Sequence, residues 1–144
     1  MALYWVSART ITPNTANDLI TIISAASRRV KLRGISIFSH GTTASANQVI
    51  VSRSTAGTTP GAAMVPQAVH ADNPAAATTT ATTWAAQPSL TAGTGLTMDV
   101  GGNSGLNRLQ APIGTEIEAR NGECISIRPL NTGVNFTVNC LIEE

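Results

Sequence analysis

Apolar and polar residues alternate over several segments of this sequence, and the alternation predicts β-strands. Near the C-terminus Val134, Phe136 and Val138 alternate with polar residues, and the pattern continues to Cys140 and Ile142. Successive side chains of a strand point to opposite faces of a sheet, so we expect one face of this strand to be buried and the other solvated. Further strands are predicted at 18–24, 28–38, 47–54, 95–100, 105–111, 115–120 and 123–128, and around Trp84, and residues 3–9 are expected to be an edge strand or an arm.

The dipeptide Asn121-Gly122 predicts a tight hairpin between the strands on either side of it. Both residues accept the positive φ angles of a type I′ turn. This register would place Ala119 opposite Cys124. Cys124 would then lie on a different face from the isoleucines that follow it, whereas Cys140 lies on the core face of its own strand. We therefore expect no disulfide between the two cysteines.

A change of parity predicts a β-bulge in the longest apolar run. The inward positions shift from Val30 and Leu32 to Ile35 and Ile37. One extra residue in the ladder restores the register, and a glycine inside a strand often marks such a place, so the bulge is predicted at Gly34.

The number and spacing of the strands predict an all-β fold. Eight or nine short strands separated by turn signals are typical of an antiparallel β-sandwich. A jelly roll is our first choice of topology, and an immunoglobulin-like or other Greek-key sandwich is the second. Residues 1–17 are expected to form an N-terminal arm or edge strand, and residues 18–144 the sandwich domain. Residues 62–83, which are rich in alanine and threonine, are expected to be a long surface excursion.

The composition favours a protein that is stabilised by contacts outside the monomer. The chain has 144 residues, enough for one domain of ordinary size. Hydrophobic residues make up 42% of the sequence, but more than a third of them are alanine, and aromatic residues make up only 3%. Small side chains bury little apolar area each, so the core gains less stability per residue than one built from leucine and phenylalanine.

The charge of the chain argues against several partners. Charged residues make up 12% of the sequence and the formal net charge is +1. Nucleic-acid binding requires clustered cations, so we expect no nucleic-acid partner. Neither a signal peptide nor an apolar run of about 18 residues is visible, so we expect no membrane segment. Cys124 and Cys140 are expected to be free, buried thiols in a reducing compartment.

The residues that could carry catalysis have simpler explanations. His40, Asp72 and Ser104 follow the chain order of a chymotrypsin-type triad. The chain is too short for two barrels, and the Gly-Asn-Ser-Gly sequence around Ser104 is that of an ordinary turn. Glu116 and Glu118 share one strand face, whereas the carboxylates of a glycosidase lie across a cleft, so a solvated face is expected. We predict no enzyme activity, no cofactor and no metal site.

Two groups of residues are candidates for an interface. One is a cationic strand face, which would meet an acidic protein or remain solvated. The other consists of aromatic side chains, which are frequent interface anchors; two of them lie at a chain end that would fray without a docking partner. Packing onto the chain's own sandwich is the alternative for the aromatic residues. The candidate interface residues are Tyr4, Trp5, Arg29, Lys31, Arg33 and Trp84.

Three turn-like stretches carry a resemblance to a known family. They are 45–59 (SANQVIVSRSTAGTT), 72–78 (DNPAAAT) leading to Thr83-Trp84, and 111–114 (APIG) followed by 120–122 (RNG). In these stretches the chain resembles small β-sandwich virion proteins of tailed bacteriophages, in particular capsid decoration (cement) proteins with a jelly-roll core. The resemblance implies a homotrimer on the virion surface that binds the major capsid protein and is made in the host cytoplasm. It transfers no catalytic residues.

A carbohydrate-binding jelly roll of a phage tail or fibre is the alternative function. Such sites present an aromatic platform beside Asp, Asn or Arg side chains. In this sequence Trp84, with Asp72 and Asn73, is the candidate platform.

Overall fold

The described residues of the computed structural model form thirteen β-strands and no helix. They are residues 1–11, 17–42, 46–61, 64–101, 105–132 and 134–144. The strands are β1 (Leu3–Ile11), β2 (Ile20–Ile23), β3 (Arg29–Ser39), β4 (Ala46–Ser54), β5 (Thr58–Pro60), β6 (Gln67–Ala68), β7 (Thr79–Ala81), β8 (Trp84–Ala86), β9 (Leu96–Gly101), β10 (Leu106–Gln110), β11 (Ile117–Arg120), β12 (Cys124–Pro129) and β13 (Phe136–Glu143). Every strand predicted from alternation is present, and the short strands β5, β6 and β7 were not predicted.

The strands form two large antiparallel sheets and one small sheet. Sheet A has the order β10-β3-β13-β1-β6, and β11 lies beside β10 along the same edge of β3. Sheet B has the order β7-β2-β12-β4-β9. Strands β5 and β8 pair with each other only. The prediction of an all-β, antiparallel sandwich is confirmed.

Apolar side chains from both sheets meet in one core. The inward residues of sheet A include Tyr4, Val6, Ile35, Ile37, Phe136 and Val138, and those of sheet B include Ile20, Ile22, Val49, Val51, Ile125 and Ile127. Most of them are β-branched, and such side chains pack well on a pleated surface. The alternation read from the sequence therefore corresponds to the inward faces of the two sheets.

The predicted hairpin at Asn121-Gly122 is wrong. The turn has the expected positive φ angles, 55° at Asn121 and 86° at Gly122. However, Ala119 pairs with Val30 in sheet A, whereas β12 pairs with β2 and β4 in sheet B. The chain reverses at this turn and also crosses from one sheet to the other, because the inward residues of β11 and β12 cover the core from opposite sides.

The predicted β-bulge is confirmed. On β13, the consecutive residues Leu141 and Ile142 pair with Gly34 and Leu32 of β3, so Arg33 is the extra residue in the ladder. The insertion keeps the strand's inward face continuous through the change of parity. It also places the Arg33 side chain at an irregular point of the sheet.

The N-terminal segment is a strand of sheet A. β1 pairs with β13 from Leu3 to Ala8 and again at Ile11. On its other side, β6 pairs with it only at Tyr4 and Trp5. The rest of this backbone edge, from residue 6 to residue 11, has no strand partner among the described residues.

Two glycines pack closely against each other where β9 ends and β10 begins. Ser39 Oγ hydrogen-bonds to the Gly101 carbonyl and accepts the Gly105 N–H at 2.9 Å. A Cβ on Gly105 would lie 2.3 Å from Gly101 O and 2.6 Å from Gly101 Cα. Backbone atoms on both sides therefore leave no room for a side chain at this position.

We predict that Gly105→Ala lowers the free energy of unfolding by about 2 kcal/mol, because the overpacked backbone must shift. Gly34→Ala is the matched control. Its Cβ would lie 3.6 Å from the nearest atom, Leu109 O, which is an ordinary contact, so we expect a change within about 0.5 kcal/mol. Urea unfolding of both variants measures the difference, and equal stabilities would contradict the packing described here.

Candidate functional site

The outward face of sheet A carries a groove across four strands. Two adjoining depressions, of about 220 and 360 Å³, share four lining residues. We call this feature the Trp5 groove and define it by the shared residues Trp5, Ser36, Arg108 and Asn139. Trp5 is 50% exposed, although it lies within a paired strand. The groove is the place where a large aromatic side chain of this fold is most open to a partner.

Strand register explains how these residues come together. Two rows run across β1, β13, β3 and β10 at neighbouring outward positions. The first row is Trp5, Leu141, Gly34 and Gln110, and the second is Ser7, Asn139, Ser36 and Arg108. Three strand spacings separate β1 from β10, which is about 14 Å between their backbones. Gly34 in the first row and Ser36 in the second are small, whereas Trp5 on β1 and Arg108 on β10 are large, so a depression forms between the two large side chains.

The second row is held by hydrogen bonds between side chains. Ser7 Oγ donates to Asn139 Oδ1 at 2.6 Å, and Arg108 Nε donates to Ser36 Oγ at 3.3 Å. Among the described residues no carboxylate lies in salt-bridge range of Arg108. The groove thus presents one indole, hydroxyl and amide groups, and one guanidinium without an acidic partner.

Arg33 lies beside the groove but is engaged elsewhere. Its guanidinium forms ion pairs with Glu116 and Glu143, whose side chains are only 3% and 6% exposed. Glu116 therefore does not lie on the solvated face that we expected. Glu118 is more open and lies 3.9 Å from Arg29 and 3.6 Å from Arg120.

The six predicted interface residues are distributed over different environments. Tyr4 is 1% exposed, and its hydroxyl donates to Pro74 O at 3.0 Å, so it belongs to the core of this chain. Arg29 is exposed, Lys31 is half-buried, and Arg33 is mostly enclosed in its ion pairs. Only Trp5 combines a large apolar side chain with an open surface. Sequence reasoning missed Arg108, Asn139 and Ser36 because only the strand register places them beside Trp5.

Trp84 anchors a segment that covers the outward face of sheet B. We call residues 55–61 and 82–91, which contain β5 and β8, the strap. Trp84 Nε1 donates to Thr21 Oγ1 at 2.9 Å, and the ring lies against Gly57, where an added Cβ would be 2.7 Å from it. Asn73, by contrast, donates to Leu3 O in sheet A. Trp84 and Asn73 are thus hydrogen-bonded to different sheets.

A buried ion pair holds the arginine that hydrogen-bonds to the strap. Asp18, whose side chain is fully buried, accepts from Arg128 Nε at 2.8 Å and from Thr21 Oγ1 at 2.6 Å. Arg128 also donates to Pro88 O of the strap at 2.7 Å. The Oγ atoms of Ser54 and Ser126 are 2.7 Å apart in the same layer. This outward face is therefore closed by hydrogen bonds, while the outward face of sheet A stays open.

The strands β9 and β10 leave one side of the sandwich open. Within the described residues, β9 pairs only with β4 and β10 only with β3. Their leucines Leu96 and Leu106 are 40% and 54% exposed. We call these two strands the β9–β10 edge.

The three residues that follow the chain order of a triad, for which we predicted no catalytic role, lie partly outside the described residues. Ser104 lies outside the described residues, and His40 Nε2 lies 2.7 Å from Thr137 Oγ1. In the described ranges, no three His, Cys, Asp or Glu side chains converge as metal ligands. The same ranges contain no helix with the length and apolar character needed to span a bilayer.

Both cysteines are buried and free. Cys140 lies in the core between the two sheets, and Cys124 lies on the outward face of sheet B. Cys140 belongs to the core cluster, whereas Cys124 alternates with the inward residues of β12 and faces the other way. Burial raises the pKa of the Cys140 thiol from 9.0 to about 12. Burial, and then the charges of Asp18 and Glu123, raise the pKa of Cys124 to about 12.

We predict that Asp18→Ala lowers the free energy of unfolding by about 3 to 5 kcal/mol, because it leaves the Arg128 charge buried without its partner. Glu118→Ala removes a more exposed ion pair and should cost less than about 1 kcal/mol. Chemical denaturation of both variants tests the contrast. A small effect of Asp18→Ala would mean that the strap is not fastened by this pair.

We predict that both thiols resist labelling at pH 8 in the folded protein and react at once in denaturant, since only the thiolate is reactive. Their folded pKa values lie above the unfolded value of 9.0, so the neutral thiols add stability that is complete below pH 9 and is lost as the pH rises towards 12. The doubly substituted Cys124→Ala, Cys140→Ala variant should lose less stability over that range. Rapid labelling of the native protein at pH 8 is the contrary result.

Comparisons with known proteins give no match. No family model, no curated protein and no solved structure matches this chain.

Proposed function

We propose that this chain is a structural protein of a tailed-bacteriophage virion: a decoration, or cement, protein that binds major capsid protein subunits as a homotrimer and stabilises the head. The observation that carries the proposal is the open β9–β10 edge, on a chain in which only 12% of the residues are charged. An open edge with exposed leucines favours pairing with another chain.

We also infer that the sandwich is a jelly roll. The four longest strands of sheet A follow the order β1-β13-β3-β10, and four strands of sheet B follow the order β2-β12-β4-β9. Numbered along the chain as eight strands, these orders are 1-8-3-6 and 2-7-4-5, which is the arrangement of two interlocked Greek keys. This topology agrees with the resemblance stated for the sequence.

Two edges on opposite sides of sheet A support a closed ring of copies. β10 lies at one end of the sheet, and β1, open from residue 6 to residue 11, lies near the other end. Head-to-tail contact between two different surfaces forms a ring when the rotation closes. A trimer of this kind joins β10 of one copy to β1 of the next and leaves the sheet faces accessible.

The internal pairing of charges supports binding to a neutral, repetitive surface. Arg33 and Arg128 form ion pairs within the chain, and Arg29 and Arg120 lie near Glu118. Only 12% of the residues are charged, so covering the surface of the chain buries few charges and little desolvation energy is lost. A protein that binds only the assembled shell stabilises it by mass action, by about 2.7 kcal/mol per site at 100 times the Kd.

We predict that the wild-type chain is a trimer in solution and that Leu106→Asp shifts it to monomers, because a charge in the contact must be desolvated. Leu130→Asp is the matched control, since Leu130 is 47% exposed but lies after β12, outside the β9–β10 edge. Light scattering measures the mass, and circular dichroism checks that both variants stay folded. A monomeric wild-type chain, or an intact oligomer in Leu106→Asp, would rule out association through this edge.

The proposed function itself is tested by co-sedimentation with empty phage shells. The wild-type protein should sediment with shells and raise their melting temperature, and Leu106→Asp should bind more weakly because multivalency is lost. Leu130→Asp should bind as the wild type does. Shells whose melting temperature is unchanged at saturating protein would refute the stabilising role.

A further inference from the structure

The Trp5 groove has the chemistry of a ligand site, and this chemistry differs from that of a protein contact. Its centre is a polar row, with Ser7, Asn139 and Ser36 leading to Arg108. The cores of protein interfaces are apolar, and each polar group buried there needs a partner. A ligand that is itself rich in hydroxyl groups satisfies such a row and also presents C–H faces to an indole.

We propose that the Trp5 groove binds a short acidic oligosaccharide. One pyranose ring stacks on the exposed indole of Trp5, and the hydroxyl groups of the sugar hydrogen-bond to Asn139 and Ser36. A carboxylate of the ligand pairs with the guanidinium of Arg108. This inference goes beyond the proposed capsid function and uses a surface that the edge contact leaves open.

The size of the groove fits more than one sugar ring. The depressions of about 220 and 360 Å³ adjoin at the Trp5 groove residues, so a chain of two or more units can occupy both. Together their volume lies in the range of known small-molecule sites, about 300 to 1,000 Å³. Leu141 and Phe38 add apolar surface, one in each depression.

The charge of the groove selects an acidic ligand. Its two cations are Arg33, which is neutralised by Glu116 and Glu143, and Arg108, which has no carboxylate partner among the described residues. No acidic side chain lines either depression. Arginine binds a carboxylate through two parallel hydrogen bonds, so an acidic sugar gains a contact that its neutral counterpart lacks.

Matched pairs of saccharides test the proposal on the native protein. The probes are tetragalacturonate with its methyl ester, and sialyllactose with lactose, titrated by tryptophan fluorescence and calorimetry. We expect at least one acidic probe to bind, and to bind about tenfold more tightly than its neutral counterpart. Absence of binding by all four probes at millimolar concentration overturns the proposal, and equal affinity within both pairs overturns the assignment of an acidic ligand.

Variants assign the binding to the groove. Trp5→Ala should weaken binding at least tenfold, Trp5→Phe should weaken it less, and Arg108→Gln should abolish the difference between an acidic probe and its neutral counterpart. Arg120→Gln is the control, because this arginine is 58% exposed and lies outside the groove. Unchanged binding in Trp5→Ala places the ligand elsewhere and refutes the site.

The same variants separate this proposal from the capsid function. Trp5→Ala should keep the solution mass and shell co-sedimentation of the wild type. A lower mass in Trp5→Ala would show that a second copy covers the groove, which overturns the saccharide site. Loss of saccharide binding in Trp5→Ala with shell binding retained would show that the two surfaces act independently.

Discussion

The aliphatic layer between the two sheets is the constraint on which the rest of the structure depends. Valine and isoleucine fill it from both sides, and most of these side chains are no more than 4% exposed. Each is small, so the layer closes only if both inward faces are filled without interruption. That requirement explains the bulge at Arg33, which keeps Leu32 and Ile35 inward on one strand. It also explains why, among the eight strands of the two interlocked Greek keys, all consecutive pairs except β4 and β9 lie in different sheets, since each crossing brings the next apolar row to the opposite side of the same layer.

The two outward faces of the sandwich differ in how much of each is covered by the rest of the chain. The outward face of sheet B is covered by the strap, and Asp18, Thr21 and Arg128 make the contact through hydrogen bonds and a buried ion pair. Such a contact is specific in geometry but gains little from the hydrophobic effect. Among the described residues no such segment covers the outward face of sheet A, and the half-exposed Trp5 lies there. An exposed tryptophan is a cost to an isolated monomer, and a ligand or partner that covers it recovers the apolar area.

Alternation in the sequence predicts the strands because it is a local property, whereas pairing between strands is not. Residues 134–142 and 28–38 were placed correctly, including the bulge, because burial of one face imposes period two on the residues themselves. The partner of a strand leaves no comparable local signal. Asn121-Gly122 fixes positive φ angles in a hairpin and in a crossing between sheets alike, so the sequence could not distinguish them. The Trp5 groove was missed for the same reason: Asn139, Ser36 and Arg108 are far apart in the chain, and only the register of four strands brings them together.

The geometry of the sandwich allows association and ligand binding on the same chain without competition. Copies that join edge to edge extend sheet A within its own plane, and the groove lies on the face perpendicular to that contact. A ring of three copies would then present three identical grooves, and a ligand with several sugar units would bind them with an avidity that a single groove lacks. If the chain decorates a capsid as proposed, many such rings lie side by side, and even a weak affinity per groove gives firm attachment to a surface that bears acidic glycans. Weak single sites suit this arrangement, because one groove can release its sugar unit while the neighbouring grooves remain bound.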